Sequence, residues 1–376
     1  MEDDATSGPI ARVEDAALVP AGGPARLALS RLPRANEIAD AVASARGVSR
    51  WIEDRLVVTA VPSRLVDAAG RVGGRELADL LGGAVEPAVE AWLGAPPDLE
   101  TPAGTLPTSQ RPVVMGVLNV TPDSFSDGGD HFDASHPDDA VAAGLALLEA
   151  GADVIDVGGE SSRPGAEPVE TDEERRRVLP VVERLAEQGA IVSIDTTKAQ
   201  VARDAVAAGA ALINDISAGA LDGLLLATVA DLDVPYVLMH MRGTPRTMQR
   251  DPRYTDVVGE VYDFLAEGLL RLEEAGVEMS KVVIDPGIGF GKTVEHNLEL
   301  LRRLREFTSL GRPVLVGASR KSFLGTVSGE PDPTGRLAES LAAAALAVSG
   351  GARLVRVHDV AETCRAVDVA HAVACS

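Results

Sequence analysis

Residues 113–127 read VVMGVLNVTPDSFSD. The stretch opens as an apolar run, 113–118, short and rich in β-branched residues, which is the pattern of a buried strand. It then turns polar at Asn119, Thr121, Pro122, Asp123 and Ser124, and continues through Phe125, Ser126, Asp127, Gly128 and Gly129. A buried strand that delivers a polar, Gly-rich loop to one end of a sheet puts chemistry where an α/β barrel carries it.

The same device recurs downstream. Apolar runs at 113–118, 154–157, 191–194, 211–213, 236–239, 282–284, 314–316 and 354–357 alternate with amphipathic segments at 140–150, 173–187, 199–208, 221–230, 257–275, 296–307, 336–349 and 360–374. Parallel strands need crossover helices between them. Eight such units over residues 112–376 match, in count and length, a closed (β/α)8 TIM barrel. An open doubly wound α/β sheet is the alternative, and the count of eight decides against it.

Upstream of the barrel the pattern differs. Residues 1–24 are acidic, rich in Ala and Gly and without a period, and are expected to be disordered. Residues 25–95 read as an N-terminal extension or small α/β subdomain, with a helix at 38–45, a strand at 56–61 and one or two helices over 75–93. Trp51 and Trp92 lie there as packing anchors. No chemical motif is visible in this region. Residues 96–111, with repeated Pro, Gly, Thr and Ser, read as a linker.

Composition narrows the function. A formal net charge of -22 argues against nucleic acid or an acidic membrane surface as partner, because both would repel the chain. The two cysteines, Cys364 and Cys375, fall in one helical segment. At about 1.5 Å of rise per residue they are too far apart to bridge, which suits a reducing compartment. No C-x-x-C or H-E-x-x-H pattern occurs and the six histidines are scattered, so a transition-metal site is not expected. No apolar stretch is long enough to cross a bilayer. The acidic start, Glu2, Asp3 and Asp4, lacks the basic segment of a signal peptide. The expectation is a cytoplasmic protein.

The strand ends carry the chemistry. The first ends at Asn119. The second leads into Gly158, Gly159, Glu160, Ser161, Ser162, Arg163 and Pro164. The third ends in Asp195, the fourth in Asn214 and Asp215, and the fifth in Met239, His240 and Arg242. The sixth ends in Asp285, followed by a loop through Phe290 to Lys292. The seventh leads to Gly317, Arg320, Lys321 and Ser322, and the eighth to Arg356 and His358. A lone Asp after a strand is usually a helix N-cap. Capping does not need Asn, Asp, Lys, Arg and His together at one rim. Asp195, Asn214 and Asp285 suit the amidine-like edge of a flat, nitrogen-rich ligand. Asn119, Arg163, Arg356 and His358 suit a phosphate or diphosphate. Ser322 is placed to open a helix whose free N–H groups attract an anion.

Structural readings stand beside these. Asn214 and Asp215 also fit a tight strand–loop corner. Asp285-Pro286-Gly287 is also a turn sequence, and Phe290 also fits a core position. His240 reads as a satisfied core histidine with no catalytic role, and Lys292, Arg242 and Arg320 as structural or solvated. Phe125, in a Ser- and Asp-rich loop, favours a lid.

The segments MGVLNVTPDSFSDGG from Met115, DVGGESSRPGA from Asp156, SIDTTK from Ser193, INDISAG from Ile213, LMHMRGTP from Leu238, DPGIGFGKT from Asp285, GASRKSFLG from Gly317 and RVHDV from Arg356 resemble dihydropteroate synthase. They cover roughly residues 112–376 in the family's order. The resemblance implies an enzyme that joins a dihydropterin-CH2-diphosphate to 4-aminobenzoate and releases diphosphate. It implies that Asp195, Asn214, Asp285 and Lys321 hold the pterin, with Met239, Phe290 and Gly317 lining its slot and Arg356 over its face. Asn119, Arg163, Arg356 and His358 would bind the diphosphate, with Asn119 also a ligand of Mg2+. Ser162 stands where the family commonly has threonine and keeps the hydroxyl. Phe125, Asp127, Arg163 and Pro164 would come from two closing loops, Asp127 stabilising a cation formed on the pterin. Ser322 would take the aminobenzoate carboxylate, and a homodimer would form through the later helices. Asp127, Arg163 and Lys321 are the expected catalytic groups. A pterin-binding methyltransferase domain and a catalytically silent paralogue are the alternatives.

Overall fold

A computed structural model of the chain describes residues 10–14, 25–30, 34–45, 48–52, 55–60, 62–121, 137–161 and 165–375. The contacts divide it into two units: Met1–Pro96 with Arg303–Arg312, and Pro97–Arg302 with Pro313–Ser376.

In the first unit, β1 (Ile10–Glu14), β2 (Ala25–Ser30), β3 (Val48–Ile52) and β4 (Arg55–Ala60) form an antiparallel sheet in the order β1-β2-β4-β3. Leu27 and Leu29 alternate inward on β2, and Leu56 and Val58 on β4, as a sheet with one buried face requires. Helix α1 (Ala35–Ser44) adds Ile38 and Val42 to this core, and α2 (Pro62–Leu93) adds Leu65, Leu77, Leu81 and Trp92. Helix α2 is broken at Gly74, whose φ of 76° only glycine adopts cheaply. It begins well before the expected start at residue 75. Trp92 is a packing anchor as expected, with the Arg305 guanidinium 4.7 Å from its ring. The side chain of Trp51 lies outside the described ones.

Two expectations for the upstream region are corrected. Ile10–Glu14, within the stretch expected to be disordered, is an edge strand paired with β2 from Ile10↔Ser30 to Glu14↔Arg26. Composition averaged over Ala- and Gly-rich flanks hides a five-residue strand whose stability comes from its partner. Residues 1–9 and 15–24 lie outside the described ones. The segment 96–111 is not a bare linker. It holds a hairpin of β5 (Leu99–Thr101) and β6 (Gly104–Leu106). Leu99 and Leu106 are buried with Val113, Met115, Val154, Leu212, Val237, Val283, Leu315 and Leu354, at the end of the barrel away from the strand tips.

The barrel follows the expected rhythm. Its strands are β7 (Val113–Asn119), β8 (Val154–Gly158), β9 (Val192–Asp195), β10 (Leu212–Asp215), β11 (Tyr236–Met239), β12 (Val282–Asp285), β13 (Leu315–Val316) and β14 (Leu354–Val357). They form one parallel sheet in the order β12-β11-β10-β9-β8-β7-β14-β13. The bridge Ile284↔Val314 joins its two ends. Around it lie α3 (Asp138–Glu149), α4 (Thr171–Glu187), α5 (Ala199–Ala207), α6 (Leu225–Leu232), α7 (Val257–Glu274), α8 (Val294–Arg302), α9 (Ser322–Ser328), α10 (Leu337–Ser349) and α11 (Val360–Ala374). Among the described residues no helix is long and apolar enough to cross a membrane.

The helix expected over 296–307 ends at Arg302. Leu304–Leu310 is a 3-10 segment that belongs to the first unit. There Glu306 is buried between Arg303, at 2.7 and 2.9 Å, and Arg12, at 3.2 Å. A carboxylate can be buried only when it is paired in this way.

Candidate active site

Parallel register brings the strand ends level. Asn119 of β7 lies opposite Gly158, Gly158 opposite Asp195, and Asp195 opposite Asn214. On the next pair Met239 lies opposite Asp285. Gly158 keeps the row close: a Cβ there would lie 3.6 Å from Asp195 Oδ2 and 3.8 Å from Asn119 Oδ1. Side chains two apart on a strand share a face. Asp156 therefore points inward one layer below Gly158.

Asp156 is the group the sequence reading missed. It is fully buried. Its Oδ2 accepts from Arg356 Nε at 2.5 Å and from Asn214 Nδ2 at 3.1 Å. A second Arg356 nitrogen donates to Asp195 Oδ2 at 2.8 Å. Arg356 is thus held across the mouth by two carboxylates on neighbouring strands, and one of them also orients Asn214. The signal was present in sequence: a charged residue inside the apolar run Val154–Gly158 must be paired to be tolerated. The adjacent residues Asn214 and Asp215 divide the two readings offered for them. Asn214 faces the mouth. Asp215 is a corner, accepting from the backbone N–H groups of Ser217 and Gly219 and from Tyr236 Oη at 2.6–2.7 Å.

Asp285, buried at the tip of β12, accepts from Gly287 N at 2.6 Å. Lys321, the residue before α9, donates to the Ile288 carbonyl, and its Nζ lies 4.3 Å from the centre of the Phe290 ring. Phe290 is half-buried, with its ring against Lys321. Met239 is buried at the end of β11. Gly317 packs against Arg356, where a Cβ would stand 3.6 Å from the Arg356 Cβ. His358 follows β14, and its Nδ1 lies 3.1 Å from the Ser319 hydroxyl, a second partner not foreseen. Ser322 opens α9 as expected. Asp127, Ser162 and Arg163, with Phe125 and Pro164, lie outside the described residues.

The electrostatics follow from enclosure. Burial pushes the Lys321 ammonium down to about 7, against the pull of Asp285. Burial pushes the Asp195 carboxyl up to about 7, against Arg356. It raises Asp285 as well, opposed first by Lys321. A carboxylate and an ammonium that both titrate near neutrality suit a site that must match donors and acceptors on a polar heterocycle. Arg320 and Arg242 have the structural roles expected of them: Arg320 pairs with Asp359 at 2.5 Å, and Arg242 with Glu260 at 2.6 Å.

Among the described residues no group of three His, Cys, Asp or Glu side chains is set to hold a metal. The donor set at the mouth is a neutral amide oxygen on Asn119. That fits Mg2+, which keeps several waters and commonly takes only one or two protein oxygens together with substrate phosphates.

The family described as pterin binding enzyme matches residues 115–358. The dihydropteroate synthase of Escherichia coli K12 is 47% identical over 270 residues, covering 72% of this chain and 94% of that protein. The structure of Xanthomonas albilineans dihydropteroate synthase with 4-aminobenzoic acid is 50% identical and superposes with a TM-score of 0.69, over 74% of this chain and 98% of that one. The same enzyme in complex with 7,8-dihydropteroate matches with 47% identity and a TM-score of 0.67, at the same coverage. The chain belongs to the pterin-binding enzyme family and, within it, to the dihydropteroate synthases.

Proposed function

We propose that the chain condenses (7,8-dihydropterin-6-yl)methyl diphosphate with 4-aminobenzoate, giving 7,8-dihydropteroate and diphosphate. The observation that carries this is the meeting of Asp195, Asn214 and Arg356 at one rim, tied together through Asp156, with Asp285 and Lys321 facing each other beside them.

In this account Asp285, Asp195 and Asn214 hold the amidine-like edge of the pterin, and a carboxylate takes such an edge with two hydrogen bonds. Lys321 donates to the ring, Met239, Phe290 and Gly317 form the slot, and Arg356 lies over the face. Arg356, His358 and Asn119 receive the diphosphate. Asn119 would hold Mg2+, which would supply further charge neutralisation to the leaving group. The carbon–oxygen bond to diphosphate breaks first, its electron pair leaving with the diphosphate. The dihydropterin spreads the resulting positive charge. By resemblance to the family, Asp127 stabilises this cation and Arg163 helps to bind the departing diphosphate, with the Ser162 hydroxyl keeping the contact that the family's threonine makes. The aminobenzoate nitrogen then forms the carbon–nitrogen bond and loses a proton to solvent, with its carboxylate held at Ser322. Capture of a cation asks little of a weak nucleophile, so no strong general base is required.

The chain is read as a cytoplasmic homodimer. Its two cysteines are free, as a reducing compartment favours. Leu346 on α10 and Val369 and Val373 on α11 are more than half exposed, whereas Val360, Val367 and Ala370 face the core. These exposed apolar side chains supply the contact for a second copy.

Diphosphate release assayed with and without 4-aminobenzoate tests the function. Release that depends on the amine and yields a stoichiometric pteroate product is expected. Release without coupling, as from a hydrolase, or pterin binding without release, as from a methyltransferase domain or silent paralogue, would refute it.

A further inference from the structure

The loop 286–292 between β12 and α8 has little regular structure of its own. Gly287, Gly289 and Gly291 all have positive φ, at 68°, 84° and 64°, and Phe290 N to Gly287 O, at 3.1 Å, is the one backbone bond recorded inside it. Its position depends on side chains that reach its backbone: Asp285 and Asn297 accept from the N–H groups of Gly287 and Gly289, each at 2.6 Å, and others reach its carbonyls. Gln249 donates to Gly289 O at 2.8 Å and Tyr254 to Gly291 O at 2.9 Å. The central tie is Lys292. It is 2% exposed. Its Nζ donates to the carbonyls of Gly287 at 2.9 Å and Phe290 at 3.0 Å, and lies 2.9 Å from His240 Nδ1. Lys321 meets the same loop elsewhere, through the Ile288 carbonyl and the Phe290 ring.

We propose that Lys292, with His240, is a positioning residue for the reaction: it clamps the loop from the side packed on helix α7 so that Ile288 and Phe290 seat Lys321 at the mouth. Three acceptors converge on one point at the end of a long apolar stem, which the rotatable donors of a lysine satisfy and the planar fork of an arginine does not. His240 is fixed in turn. Its backbone N–H donates to the Asp285 backbone carbonyl at 3.0 Å, and its ring meets Phe264 edge-on at 4.8 Å. Burial pushes the pKa of both Lys292 and His240 well down, and the bonds close in either state. An ammonium donates to all three acceptors. An amine donates to both carbonyls and takes the Nδ1–H on its lone pair. The two lysines that meet at this loop thus divide the work: one faces substrate, and the other sets where the first one stands.

The inference rests on Lys321 acting on the pterin diphosphate, and two readouts keep the claims apart. In turnover, K292M is expected to lower kcat/KM for the pterin diphosphate by roughly 100-fold, as a small misplacement of a reacting group does, in a protein that keeps its near-UV spectrum. The double variant K292M/K321M is expected to be no worse than K321M, because a residue acting through Lys321 loses its effect once Lys321 is gone. A purely structural lysine would give losses that multiply, and that result overturns the proposal. His240→Leu serves if K292M does not fold, and it is expected to show the same non-additivity with K321M. His240→Asn, whose amide stands where Nδ1 was, is expected to recover most of the loss. Independently of turnover, competitive acetylation read by mass spectrometry gives the reactivity of Lys321. It is expected to change in K292M. An unchanged Lys321 overturns the proposal, even if the wild-type chain proved inactive with these substrates.

Discussion

Arg356 and Asp156 stand 200 residues apart in the chain, yet the guanidinium Nε lies 2.5 Å from the Asp156 carboxylate. The barrel brings them together because β14 and β8 both flank β7. Asp156 makes no contact with solvent, and the same oxygen orients Asn214. Breaking a buried pair leaves one charge uncompensated, at a cost of about 3 kcal/mol. D156A should therefore lower the unfolding free energy by that amount, seen as a lower urea midpoint at unchanged m. It should also weaken pterin binding through the loss of order in Arg356 and Asn214.

Asp285 is the carboxylate expected to take the pterin edge. D285N keeps the shape and loses the charge. Two charge-assisted hydrogen bonds are weakened, so kcat/KM for the pterin diphosphate should fall roughly 100-fold. KM for 4-aminobenzoate, whose carboxylate is assigned to Ser322, should change little. Steady-state kinetics with each substrate varied in turn check this.

The pH dependence has two limbs. As pH falls through about 7, Asp195 takes up a proton and stops accepting from the pterin edge. As pH rises through about 7, Lys321 loses one and stops donating as an ammonium. The profile of kcat/KM for the pterin diphosphate should be a narrow bell centred near neutrality. Its limbs report the coupled site rather than either residue alone. K321M should remove the alkaline limb.

Leu106 is buried at the closed end of the barrel. L106A should cost about 3 kcal/mol, the usual range for emptying a leucine site in a packed core. The thermal midpoint should fall while KM values stay near those of the wild type, because the mouth lies at the opposite end of the strands.

Much of this was legible in the sequence. Each barrel strand reads as an apolar run because it is buried on both faces, and each polar tip stands out against it. The residues that were missed depend on partners far away in the chain. Asp156 reads as an oddity inside a strand until Arg356 and Asn214 are seen beside it. Leu99 and Leu106 are two apolar residues in a Pro- and Thr-rich stretch, and only the barrel end makes them core. Glu306 looked like one more charge on a helix. Its burial depends on Arg12, nearly the whole chain away. Lys292 read as structural or solvated, and its partners, loop carbonyls and a ring nitrogen, are ones that no periodicity announces.

The most direct measurement is product formation by the purified full chain, with the wild type and D285N run side by side. With both substrates and Mg2+ present, the wild type should give one 7,8-dihydropteroate for each diphosphate released, identified by mass, and D285N should give far less of both. Diphosphate without the carbon–nitrogen product, or equal yields from the two proteins, would contradict the assignment of the barrel mouth as the place where that bond forms.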